Sequence, residues 1–333
     1  MNTREFLEQR ELRELSPYAA KSCQSKGRDY PISPCEMRTD YQRDRDRIIH
    51  SKSFRRLQFK TQVFVSPEGD HYRTRLTHTL EVAQVARTLA RSLNLNEDLT
   101  ESIALGHDLG HTPFGHIGER TINRLIGGGF HHNEQSLRMV EVIEGDHGLN
   151  LTWEVRDGIV NHSGNRQAAT MEGQIVGKAD RIAYINHDID DALRAGIIKT
   201  EDLPQDSLKV LGQTHGERIA CMINDIVINS FDKPDVITSH SVQAATDLLR
   251  GFLFKNVYFD KFRSVDEEKC DFIISELFKY FLKNPAEMPL EFVTIVYREG
   301  TERADSDYIP SMTDRFAMRL FHELFVPNSF SVI

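Results

Sequence analysis

Apolar residues recur at three- and four-residue steps along most of the chain, and strict alternation is rare. Leu76, Leu80, Ala83, Ala86, Leu89 and Leu93 predict an amphipathic helix from residue 76 onward. A second helix is predicted over 97–109. Asn96 is a ready N-cap, Glu97 and Asp98 suit the positive first turn, and Gly110 and Pro113 stop it. A third is expected over 114–126, ending at the glycine run 127–129, and a fourth over 133–144 with Leu137, Val140 and Ile143 on one side. The longest, over 172–195, carries a stripe of Ile175, Ala179, Ile182, Ile189 and Leu193. Residues 200–235 read as loop and helix, 240–283 as aromatic-rich helix, and 313–325 as a terminal helix. LEFVTIVYREG at 290–300 alternates enough to predict a short strand or turn. The pattern predicts a mainly α fold: an N-terminal arm over 1–40, a helical core over 41–200, and a helical C-terminal lobe over 201–333 packed on the core as one unit. No strand–glycine loop–helix alternation supports a parallel sheet.

Charge narrows the function classes. The 333 residues carry 41 Lys and Arg against 50 Asp and Glu, a formal charge of -9. A whole-surface nucleic-acid binder would be basic, so a phosphate ligand must be met by a local basic cluster. Arg43, Arg45, Arg47, Arg55 and Arg56 crowd residues 41–60; they form either a solvated helix face or an anion-facing edge. No apolar run approaches the ~18 residues of a membrane span, and the charged start MNTREFLEQRELRE predicts no signal peptide. A cytoplasmic protein without a membrane partner is therefore expected. The four cysteines form no C-x-x-C pair and read as reduced thiols.

Histidine changes the picture more. Of 14, seven lie between His71 and His132: those two and His78, His107, His111, His116 and His131. His107 and Asp108 stand side by side near a predicted helix end. His78 lies on the preceding helix, and two antiparallel helices with a short loop bring both imidazoles together. Asp180, on the longest helix, supplies a second carboxylate. Two imidazoles and two carboxylates make a mixed nitrogen/oxygen shell that suits manganese, iron, nickel or magnesium and tolerates zinc. HDLGHTPFGH at 107–116 holds three histidines within ten residues, with Gly and Pro forcing a tight turn between them. Asp180, Tyr184, His187, Asp188 and Asp191 share a helix face opposite Ile182 and Ile189. That polar stripe faces solvent or lines a wet cavity, and the cavity reading is favoured because the stripe holds the carboxylate the shell lacks. His116 and Glu119, at i and i+3, are expected to hydrogen-bond directly. Gly173 to Lys178 is one residue short of a phosphate-cradling loop and fits a helix interior; neither G-x-S-x-G nor H-E-x-x-H occurs.

RLTH at 75–78, HDLGHTPFGHIGE at 107–119, HNEQSLR at 132–138, KADRIAYINHDIDDAL at 178–193 and DYIPSMTDRFAMRLF at 307–321 together resemble the HD-domain deoxynucleoside triphosphate triphosphohydrolases, in their bacterial dGTPase-like branch. The resemblance covers roughly residues 40–325. It implies an HD-domain helical bundle with an appended lobe, usually oligomeric, that splits a dNTP, with dGTP as one candidate, into a deoxynucleoside and inorganic triphosphate. By position it implies His78, His107, Asp108 and Asp180 as metal ligands. Arg75 corresponds to a phosphate-contacting arginine, His111 and His116 to histidines beside the α-phosphate, and Glu119 to the partner of His116. Arg181 and Tyr184 correspond to phosphate and sugar contacts, Asp188 to an acceptor for the sugar 3'-hydroxyl, and Gln62 loosely to a residue near sugar or base. Asn133 falls where some relatives carry another catalytic histidine, with His131 and His132 adjacent. The divalent ion (Mn, Mg, Fe, Ni or Zn) stays open, as does a second dNTP acting as an allosteric activator. The competing readings are another HD phosphohydrolase, either a 5'-nucleotidase or a phosphodiesterase, and a non-enzymatic homo-oligomer that senses nucleotide or binds single-stranded nucleic acid.

Overall fold

The computed structural model describes residues 1–62, 73–127, 129–258 and 264–327. These contain sixteen α-helices and no strand. In chain order they are α1 (Thr3–Glu14), α2 (Asp40–Ile49), α3 (Lys52–Arg56), α4 (Arg75–Ser92), α5 (Glu97–Gly106), α6 (His116–Leu125), α7 (His132–Arg138), α8 (Trp153–Asn161), α9 (Met171–Arg194), α10 (Gln205–Leu211), α11 (His215–Ser230), α12 (His240–Leu253), α13 (Ser264–Lys283), α14 (Leu290–Glu299), α15 (Thr301–Tyr308) and α16 (Asp314–Phe325). His71 and the end of the QFKTQVF segment lie outside the described residues.

Start signals in the sequence are used by the backbone. Thr74 caps α4 by accepting the Thr77 N–H, Asn96 caps α5 through Leu99 N–H, and Thr170 caps α9 through Gly173 N–H. The apolar stripe of α9 is fully buried at Ile175, Ala179 and Ile189, and α4 and α5 both pack against this helix. A short link over residues 93–96 makes α4 and α5 antiparallel neighbours. Gly173 and Gly177 sit inside α9, so no phosphate-cradling loop exists there.

Several boundaries differ from the periodicity. Helix α5 ends at Gly106 and α6 begins at His116, which leaves 107–115 as a tight non-helical turn. Residues 290–299 are helical, not a strand or turn. Phe292 and Ile295, three apart, face the same core, and Gly300 at φ 94° closes the helix. Apolar residues in adjacent pairs fit either period, and burial of one side decided it. Helix α8 falls in a region without an expected element. Helix α7 passes into a π turn over Met139–Ile143.

Two apolar cores organise the molecule. The first joins α2, α4, α5, α8 and α9 and runs on through α10–α12 to Val257. The second packs Phe114, Ile122 and Phe130 against Ile274, Phe278, Phe281, Phe292, Tyr308 and Ala317. Residues 205–257 thus complete the first core, and the segment from 264 onward packs with Phe114, Ile122 and Phe130 to form the second. The N-terminal segment is bound down. Ala20 and Asn96 donate their N–H groups to Glu172, Ser25 and Lys26 donate to Glu154, and Arg28 pairs with Asp44. Arg43 donates to the Ser33 carbonyl, Arg45 to Asp98 and Glu101, and Arg47 to the Leu149 and Asn150 carbonyls. These three arginines therefore tie the chain together and do not form an anion-facing edge. All four cysteines are free. Among the described residues no helix is long and apolar enough to cross a membrane.

Candidate active site

The antiparallel pairing of α4 and α5 sets the first turn of one beside the last turn of the other. His78 and His107 meet there, with ring centroids 5.8 Å apart. Asp108 follows His107 directly, and Asp180 projects from the middle of α9. His78 Nε2 lies 3.1 Å from Asp180 Oδ1, while His107 Nε2 lies 3.5 Å from Asp108 Oδ1 and 3.8 Å from Asp180 Oδ1. The four residues named from the sequence are thus brought to one point. A fifth joins them that the sequence reading missed: His162, at the end of α8, offers a donor with His107 and Asp180. A Cβ on Gly177 would lie 2.6 Å from the His162 carbonyl oxygen, so only glycine lets α9 approach this closely.

The donor chemistry fits a divalent ion. His107 donates Nδ1–H to the Ala104 carbonyl at 2.6 Å and His162 donates Nδ1–H to the Ile159 carbonyl at 2.7 Å. A carbonyl only accepts, so in the neutral form of each ring Nε2 carries the lone pair that a metal could take. Both Nε2 atoms are buried without a hydrogen-bond partner, and that of His107 faces two carboxylates. Lone pairs turned on anionic oxygens repel unless a cation lies between them. Burial, with neighbouring His107 and His132, pushes His162 down to about 4, so it is a neutral imidazole. Burial alone would raise Asp180, but the hydrogen bond from His78 and the nearby histidines hold it below the carboxylate range.

A second group adjoins this cluster, on His111 of the 107–115 turn and at the start of α7. His111 Nε2 lies 3.3 Å from Asp108 Oδ1, and its ring stacks on that of His132 at 4.2 Å and 16°. Glu119 accepts from the His132 backbone N–H and lies 3.0 Å from His132 Nδ1. The expected pairing of Glu119 with His116 is longer: His116 Nδ1 lies 3.7 Å from Glu119 Oε2, an ion-pair distance, and the His116 side chain is 59% exposed. His132, the first residue of α7, is the closer partner, whereas His116 begins the helix that carries Glu119 and sits largely exposed at the rim of the cleft. Burial alone would lower His132, but the bond and charge of Glu119 outweigh it and raise the imidazole. Asp108, His111 and His132 also offer three donors close together. Glu119 occupies His132 Nδ1, which suits that group to handling a proton. Asn133 turns away and donates to the Val160 carbonyl. His132, not Asn133, is the inward-facing residue at this corner; its signal in the sequence was only adjacency.

Both groups open on a cleft of about 430 Å³ lined also by Gln62, Arg75, Arg181, Tyr184 and Asp188. Arg75 donates Nη1–H to Asp108 at 2.7 Å, while its Nε and Nη2 are buried without partners. The polar stripe of α9 divides. Asp180, Tyr184 and Asp188 face the cleft, His187 turns to Glu81 at 3.0 Å, and Asp191 pairs with Arg73 at 2.7 Å. Arg250 and Phe254, from the end of α12, complete the lining. No motif announced them, because nothing in the sequence tells which face of α12 meets α9.

Over residues 75–185 the chain matches the HD domain, and over 236–323 the phosphohydrolase-associated domain. It is 58% identical over 329 residues to the deoxyguanosinetriphosphate triphosphohydrolase-like protein of Caldanaerobacter subterraneus, covering 98% of this chain and 97% of that one. The similarly named protein of Clostridium perfringens is 49% identical over 338 residues, covering 98% and 99%. That of Geobacter sulfurreducens is 40% identical over 368 residues, covering 94% and 96%. The HD match spans the whole His/Asp cluster, and the identity extends over nearly the full length of each chain. By fold, cluster and full-length likeness together, the chain belongs to the HD-domain family of deoxyguanosinetriphosphate triphosphohydrolase-like proteins.

Proposed function

We propose that the protein hydrolyses a deoxynucleoside triphosphate at its α-phosphate, releasing the deoxynucleoside and inorganic triphosphate. The observation that carries this reading is one cleft that holds two different groups: the His78, His107, Asp108 and Asp180 cluster and, beside it, His132 held by Glu119. A divalent ion bound by the cluster, with His162 as a further donor, would act as a Lewis acid on a phosphate oxygen.

The chain's own residues do the rest. Arg75, with two unpartnered N–H groups, and Arg181 neutralise charge on the triphosphate. Hydrolysis needs a proton taken from water and one given to the departing 5'-oxygen. His132, oriented and kept basic by Glu119, takes the first, and the exposed His116 at the cleft mouth gives the second. His111, held neutral by burial and the field of Arg75, keeps Asp108 and His132 apart. Asp188 accepts from the sugar 3'-hydroxyl while Tyr184 packs beside the sugar.

The names of the relatives make dGTP the first substrate to test. Purified protein is incubated with each dNTP singly and in pairs, with Mg²⁺ and with Mn²⁺, and the products are resolved. Intact triphosphate with deoxynucleoside is expected. Orthophosphate or a nucleoside monophosphate would point to a different HD phosphohydrolase, and turnover only in pairs would mark a second dNTP as activator. Binding without turnover would support a sensing role.

A further inference from the structure

We infer that Asp314, in the C-terminal lobe, is a positioning residue that latches two cleft-lining segments of the core in place for the reaction proposed above. Asp314 is the first residue of α16 and is 5% exposed. Its Oδ2 accepts from Thr61 N–H at 2.9 Å and from the Thr61 hydroxyl, and its Oδ1 accepts from Phe114 N–H at 2.9 Å. Thr61 immediately precedes Gln62, and Phe114 lies two residues before His116. One side chain therefore fixes both segments, each from far away in sequence.

The turn it holds needs holding. Phe114 has φ 61° and Gly115 φ 58°. A bulky residue in the left-handed region is a conformation that only its surroundings maintain. A Cβ at Gly115 would lie 3.3 Å from the Gln62 carbonyl oxygen and 3.5 Å from Arg75 Nη2, so the turn abuts two cleft residues. Lys60 ties the start of the same turn. Its buried Nζ donates to the carbonyls of His111 and of Pro310, the latter in the lobe at 2.6 Å. Core and lobe thus exchange bonds in both directions across the turn. A carboxylate spending both oxygens on separate cleft segments is a device for setting their relative position.

The inference rests on the proposed hydrolysis, but its test does not depend on turnover alone. Asp314→Asn keeps the shape but offers one acceptor oxygen and turns an N–H group toward a backbone N–H. In Asp314→Asn, kcat should fall ~10–100-fold, as misplacement by about an ångström does, with KM and bound metal within twofold of wild type. Amide exchange over residues 112–117 should quicken ~10-fold or more, with other core segments unchanged. Thr61→Val, which keeps the backbone N–H, should move both readouts the same way by a few-fold and serves if Asp314→Asn does not fold. Exchange equal to wild type in these variants would overturn the inference. So would quickened exchange with kcat unchanged, or a kcat loss only in proportion to lost metal. If the wild-type protein releases no triphosphate from any dNTP, the proposed function falls, and exchange at 112–117 then decides the latch by itself.

Discussion

His107 and His162 reach the cleft by the same local device. Each ends a helix, each ring donates Nδ1–H to the carbonyl three residues back, and each presents a bare Nε2. That shared geometry orders the expected effects on metal content. His107→Ala and Asp180→Ala should each lose bound metal and activity together. His162→Ala should weaken metal binding by ~10–100-fold and not abolish it, because the other four residues of the cluster remain. Full metal occupancy in His107→Ala or Asp180→Ala would remove them from the ligand set. The proton-handling side is separable. His132→Ala and His116→Ala should each keep metal and lower kcat by ~10²–10⁴-fold. Combining Glu119→Gln with His132→Ala should be little worse than His132→Ala alone, because bonded groups act as a unit. A His132→Ala protein with wild-type kcat, or without metal, would break that assignment.

Among the elements, α9 works hardest: one face packs the core, one lines the cleft, and its first turn anchors its neighbours. Glu172 in that turn is fully buried, and one of its oxygens accepts from Asn96, the cap of α5, and from Ala20. Burial, opposed only in part by those bonds and the nearby Lys21, raises its carboxyl to about 7 from an ordinary 4.5. The folded state therefore binds more protons than the unfolded chain between those values. The stabilisation is fully present below about 4.5 and is lost as pH rises through about 7. Glu172→Gln, which keeps the acceptor oxygen and cannot ionise, should gain on wild type by on the order of 1 kcal/mol as pH goes from 5 to 8. Denaturant melts of both proteins across that range check it; parallel curves would mean Glu172 does not titrate in the window.

At the scale of the whole molecule, the N-terminal segment behaves as part of the core. Deleting residues 1–30 would strip donors from Glu172, Glu154 and Asp44, all buried. It would also remove Ala19 from the first core. An unsatisfied buried polar group costs ~1–3 kcal/mol, so the truncated chain should lose at least ~3 kcal/mol in denaturant melts. A truncation that left stability unchanged would show these contacts to be incidental. The lobe is bound as firmly from the other side. Asp307, with no exposed surface, gathers Gln135, Arg138 and Arg303, and Lys60 and Asp314 cross the same boundary.

The sequence by itself determined the helices with a clean local signal: α4 and α9 were legible from their apolar stripes, and α5 from its Asn96 cap and its stop residues. It also pointed to the His/Asp cluster that could hold a metal. His78 and His107 sit at opposite ends of consecutive helices, and a short link leaves antiparallel packing as the way to join them. Only the tertiary structure decided which residues meet across long separations. His162 was hidden because its meaning depends on Gly177 letting α8 and α9 touch, and no local pattern encodes that approach. His132 comes closer to Glu119 than His116 does because the fold brings the first residue of α7 beside it. Residues 290–299 became a helix because one side was buried under the second core, where periodicity alone was ambiguous. The tie from Asp314 to Thr61 and Phe114 spans about 200 residues or more, a distance over which local sequence holds no information.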